Sequence, residues 1–170
     1  MDIETLRPSA PGTKTEWDIQ YPYSGAHWEK VDEVDPDELD TYLSLDLGSG
    51  TVIDLFNIPD HSGSGIINSV TLYLRGKTDY ATGFVLRPII FTNGVEYAIF
   101  KSVYEDWLTI SNTWDVNPQT GLPWTWAEID ALEIGVKAAR SATYHLWCTQ
   151  VYVEVDYTPA KGGSRGYIIG

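Results

Sequence analysis

Basic residues are scarce in this chain. Lys and Arg number 11 against 24 Asp and Glu, a formal net charge of −13 over 170 residues. Such a surface repels phosphate, so nucleic acid and anionic membrane surfaces are excluded as expected partners. Cysteine is nearly absent: the single Cys148 forbids an internal disulfide, so the core alone must hold the fold. Its place in the apolar run Leu146-Trp147-Cys148 marks it as a small buried residue rather than a reactive thiol. No run approaches the roughly 20 apolar residues of a membrane span. The opening Met1-Asp2-Ile3-Glu4-Thr5 lacks the basic start and apolar stretch of a signal peptide. Synthesis and folding in a cytoplasm is therefore the expectation, unless the chain is a processed piece of a longer one.

Catalytic and ligating patterns are also missing. His27, His61 and His145 stand in three unrelated segments without HxH or HExxH spacing, which argues against zinc. Gly63-Ser64-Gly65 and Gly48-Ser49-Gly50 are turns, not the G-x-S-x-G elbow of a serine nucleophile. The acidic run Asp32 to Asp40 could offer carboxylates to Ca²⁺, with Asp35, Asp37 and Asp40 the candidate ligands. It lacks the central glycine and terminal glutamate of an EF-hand loop, and a solvated acidic loop is the preferred reading. The expectation is a protein without cofactor, metal or enzymatic activity.

Aromatics, by contrast, are abundant: 7 Trp, 11 Tyr and 4 Phe. They accompany a series of short strand-like runs. Val70, Leu72 and Leu74 alternate onto one face, as do Val151, Val153 and Val155, with Tyr152, Glu154 and Asp156 on the other. Thr92-Asn93-Gly94 between two such runs signals a hairpin. One short helix is expected near 126–132, capped by Thr125 with Glu128 three residues on. His27 to Val31 reads as a brief strand. Without βαβ alternation, the pattern predicts an all-β, antiparallel two-sheet sandwich of jelly-roll type. Its expected organisation is an extended N-terminal arm over 1–25, a sandwich over 26–158 and a tail over 159–170.

Two sets of residues invite a functional reading. Trp124 and Trp126 on a turn, with Trp107 and Trp114 nearby, could form a platform for sugar rings. Closing one end of the core is the preferred role for the Trp124 and Trp126 pair. The Pro- and Gly-rich ends hold apolar residues, Ile3, Leu6 and Trp17 at one and Tyr167, Ile168 and Ile169 at the other. Ends of this kind can strap onto a neighbouring subunit.

The segments Asn117 to Val136, containing Trp124-Thr125-Trp126-Ala127-Glu128-Ile129-Asp130-Ala131-Leu132, and Cys148 to Tyr157 resemble a recurrent family of virion-associated proteins of tailed phages, archaeal viruses and proviruses. Leu6-Arg7-Pro8 and His27 to Glu33 fit the same pattern more loosely. The resemblance implies a structural virion component, such as a capsid decoration protein or head fibre, made in the host cytoplasm. Its partners would be other virion proteins or further copies of itself, reached through the termini. The alternative, from a different class, is a carbohydrate-binding module of a tail fibre or secreted protein, using Trp107, Trp114, Trp124 and Trp126.

Overall fold

The computed structural model describes residues 1–160. Its strands are β1 (Asp2–Leu6), β2 (Ala10–Thr15), β3 (Ile19–Tyr21), β4 (Tyr42–Ser44), β5 (Thr51–Asn57), β6 (Gly65–Thr78), β7 (Phe84–Thr92), β8 (Val95–Ala98), β9 (Lys101–Val103), β10 (Leu108–Trp114), β11 (Glu133–Ala139) and β12 (Leu146–Pro159). They form two sheets. Sheet A runs β10-β6-β12-β4-β3, with β1 also on β12; sheet B runs β2-β5-β11-β7-β8, with β9 also on β7. Every pairing is antiparallel. This is the all-β jelly-roll sandwich that the alternation and turn spacing predict. No helix among the described residues is long and apolar enough to cross a membrane.

The two long strands of sheet A carry the clearest logic. β6 and β12 pair over most of their length, with Val70, Leu72 and Leu74 against Val155, Val153 and Val151. All six are fully buried and face sheet B. The hairpin at Asn93-Gly94 has positive φ at both residues, 50° and 81°, the primed-turn geometry those two residues tolerate best. Helix α1 (Trp126–Asp130) carries the predicted capping box, Thr125 Oγ1 accepting from the Glu128 amide while Glu128 reaches back to Thr125. His27–Lys30 forms a 3-10 turn instead of the expected strand, opened by Ala26 with the Glu29 side chain accepting from its amide.

The N-terminal arm is the largest correction. Residues 1–25 are built into both sheets: β1 pairs with β12, β2 with β5, and β3 with β4. Leu6 and Trp17, expected as anchors for a partner, are 5% and 4% exposed in the chain's own core, while Ile3 stays 63% exposed on the edge strand. The physical reason is a buried carboxylate. Asp54, on the inner face of β5, accepts the amides of Glu16 and Trp17 at 2.6 and 2.9 Å and touches His27 Nδ1 at 2.6 Å. A fully buried carboxylate must be satisfied, and the N-terminal segment supplies the donors. The anchors Tyr167, Ile168 and Ile169 lie outside the described residues.

Sheet B also buries a small patch on its outer face, formed by Ile53, Leu55 and Ile89 with Phe91 and Ala98. A bulge in β2 folds over it. There the Thr13 amide and hydroxyl both donate to Glu133 at 2.9 Å, and Lys14 pairs with Glu96, which Lys137 also holds.

Candidate functional site

Several aromatic side chains remain accessible on the outer face of sheet A. Along β6, residues alternate with the buried Val70, Leu72 and Leu74, so Thr71, Tyr73, Arg75 and Lys77 point outward. Their partners on β12 include Glu154, Tyr152, Gln150 and Trp147.

The acidic segment 32–40 crosses this face as a strap. Gln150 Nε2 donates to the carbonyls of Glu33 and Val34 at 2.8 and 3.0 Å. The Glu38 amide donates to Thr149 Oγ1 at 3.1 Å, which in turn donates to the Thr41 carbonyl at 2.9 Å. Arg75 clasps the Glu38 carboxylate, its Nε at 2.9 Å. From the other side Arg7 Nη1 reaches the Glu33 carbonyl at 2.6 Å. Asp35 and Asp40 are exposed, whereas Asp37 accepts from Thr41 within the strap. Among the described residues no three His, Cys, Asp or Glu side chains converge as a metal cage. The run works here as a tether, with burial raising the pKa of Glu33 against a hydrogen bond from Thr41.

The strap divides the face. On one side Tyr73 and Tyr152 stack at 4.8 Å, and Arg7 lies 4.7 Å over the Tyr152 ring. On the other side an aromatic row crosses the strands. Lys77 faces Trp147, and its ammonium lies 5.1 Å from the Trp107 ring and 5.2 Å from that of Trp147. Trp147 next faces Ser44 on β4, where Tyr42 also points outward because Leu43 is buried. Tyr42 stacks on Tyr21 at 5.3 Å and 16°, and Tyr23 stands edge-on to Tyr21 at 5.7 Å and 87°. Tyr23 is 79% exposed, although its loop is held by Gln20 Nε2 donating to the Gly25 carbonyl.

At Trp147 the row meets a further group. Tyr80 stacks on Tyr144 at 3.9 Å, and His145 lies 5.6 Å from Trp147. His145 also fixes Asp79 through its amide and its Nδ1, at 2.7 and 2.9 Å. Partial burial would raise the Asp79 pKa, but these hydrogen bonds hold it below the ordinary value, so it presents a charged acceptor. Tyr42 keeps its proton the more firmly, through burial and then its tyrosine neighbours, and offers a hydroxyl. From β6 to β3 the row spans three strand spacings, roughly 14 Å.

Of the four tryptophans singled out from the sequence, only Trp107 belongs to this row. Trp124 is 4% exposed and donates its Nε1 to the Trp114 carbonyl at 3.1 Å; Trp114 packs against the core. Trp126 donates to the Gly65 carbonyl at 3.0 Å and lies between His61, stacked at 4.6 Å, and Tyr157. These three close one end of the sandwich. Trp147, Lys77, Tyr42, Tyr21 and Tyr23 carry the row and were not singled out. The signal for Trp147 lay in the in-out-in order of Leu146, Trp147 and Cys148.

No known family profile and no curated protein sequence matches this chain. Among solved structures it is similar to a CBM4 structure, at a TM-score of 0.47 and 12% identity over 68% of this chain and 83% of that one. It is also similar to the N-terminal cellulose-binding domain of β-1,4-glucanase C from Cellulomonas fimi, at 0.43 and 13% over 69% and 79%. A third is CBM35 of Cellvibrio japonicus Abf62, at 0.42 and 11% over 95% and 98%. All three are distant likenesses.

Proposed function

We propose that this chain is a non-catalytic binding protein that holds a neutral glycan across the outer face of sheet A. The observation that carries this is the row Trp107, Trp147, Tyr42, Tyr21 and Tyr23, with Lys77 and Asp79 beside it. A pyranose ring has apolar C–H faces and a rim of hydroxyls. Aromatic faces accept the former, while a carboxylate, an ammonium and phenol hydroxyls accept or donate to the latter. The row is longer than one sugar ring, so it suits a chain. The net charge of −13 disfavours uronic or sulfated glycans. The resemblance to virion-associated proteins implies a structural virion component, and a glycan-binding part of a phage fibre would accommodate both readings.

Titration calorimetry against soluble neutral β-glucan, xylan and mannan tests the reading. One of these is expected to bind, with Trp147→Ala and Tyr23→Ala each weakening it about tenfold or more, ~1.4 kcal/mol. Phe100→Ala, an exposed ring beside Arg87 of sheet B, serves as the control and leaves affinity unchanged. The reading is lost if none of the three polymers binds, or if neither variant in the row changes affinity.

A further inference from the structure

Edge strands invite pairing with other chains, and folded proteins blunt them with short length, charge, proline or bulges. Five of the six edge strands among the described residues carry such a device. β1 has Asp2 and Glu4; β2 has Pro11, Lys14 and its bulge; β3 and β9 are three residues long; β8 has four residues with Glu96 among them. β10 differs. Its seven residues, Leu-Thr-Ile-Ser-Asn-Thr-Trp, hold no charge and no proline, run without a bulge, and pair on one side only, with β6.

We infer that β10 is a self-association edge, joining sheet A of one copy to sheet A of a second through antiparallel β10–β10 pairing. The sequence of the edge is what selects a second copy. In a two-fold register centred on Ser111, each residue meets a partner from its own face of the sheet, as an isologous interface requires. Thr109 meets Thr113 on the outer face, a favourable cross-strand hydroxyl pair. Ile110 meets Asn112, and Leu108, itself 40% exposed, meets Trp114 on the inner side. No flanking acid lies directly opposite another: Glu105 lies opposite Asn117, Asp106 opposite Val116, and Asp115 opposite Trp107. In a chain of net charge −13, that placement avoids the most unfavourable, directly opposed like-charge pairs. What remains is the repulsion between the diagonal acids at the two ends and between two acidic bodies, which salt screens.

Sedimentation equilibrium of the full chain is the test. The mass is expected to rise with concentration from 19.0 kDa toward twice that value, and further at high salt than at low. Ser111→Lys places a charge at the centre of the register and should hold the protein monomeric while its circular dichroism and melting temperature stay those of the wild type. Thr5→Lys on the edge strand β1 should change nothing. Hydrogen exchange of the wild type supplies a second readout that needs no variant, with amides of 108–114 gaining protection as concentration rises. A mass of 19.0 kDa at every concentration and salt overturns the proposal. So does association undiminished by Ser111→Lys, or concentration-dependent protection located elsewhere.

Discussion

At the scale of single residues, polar side chains are placed in pairs that order loops. Each histidine meets an aspartate: His27 with Asp54, His61 with Asp130 and His145 with Asp79, at 2.6, 2.6 and 2.9 Å. Arg140, in the loop after β11, donates to Asp18 through Nε at 2.9 Å and Nη2 at 2.5 Å, a forked contact that ties the N-terminal segment to the sandwich. The Arg140 hydrogen bonds hold the Asp18 carboxyl below its ordinary value, outweighing partial burial, with the Asp46 amide adding to the effect. A carboxyl whose folded pKa lies below the unfolded value of about 3.9 stabilises the fold above that pH. The contribution is lost as pH falls through the folded pKa. Arg140→Ala should therefore lower the urea midpoint at pH 7 and have a smaller effect at pH 2. Equal losses at the two pH values would show that the residue acts by packing alone.

Individual elements show how far local signals reach. The alternation in β6 and β12, the Asn-Gly hairpin and the Thr125 capping box were legible because each is set within a few residues. The N-terminal segment was not. Its Pro8, Pro11 and Gly12 mark where the chain turns but not where it lands, and Asp54, which needs the Glu16 and Trp17 amides, lies far along the sequence. In sequence the strap at 32–40 shows only as a solvated loop, because its tethers lie well away from it: Arg7 just after β1, Arg75 on β6 and Gln150 on β12. The site was legible only at Trp107, since Tyr42 and Tyr21 gain meaning from the pairing of β3 with β4. Building 1–25 into the sheets has a testable cost. Leu6→Ala should destabilise the protein by about 2–5 kcal/mol, as for other buried leucines. Deleting 1–16 removes β1 and β2 and should leave a chain that fails to fold cooperatively. A deletion variant with wild-type denaturation would instead mean that the segment is a removable arm.

For the whole molecule, the question is whether the two sheets can come apart. One apolar cluster runs through both: Leu72, Val151 and Val153 of sheet A share it with Phe56, Leu86 and Ile134 of sheet B. Opening the sandwich exposes both inner faces together, so neither sheet keeps a core of its own. The small cluster outside sheet B cannot substitute, because only Ile53, Leu55 and Ile89 are buried there. The N-terminal segment adds to the coupling, since β1 belongs to sheet A and β2 to sheet B within one short stretch. Unfolding should accordingly be a single transition, coincident by far-ultraviolet dichroism and tryptophan fluorescence. Leu72→Ala, at the centre of the shared cluster, should lower the denaturant midpoint by an amount worth about 2–5 kcal/mol while the slope m stays unchanged. An unchanged midpoint would remove Leu72 from the core. Two separated transitions would show that the sheets unfold independently, and the shared cluster would then have no cooperative role.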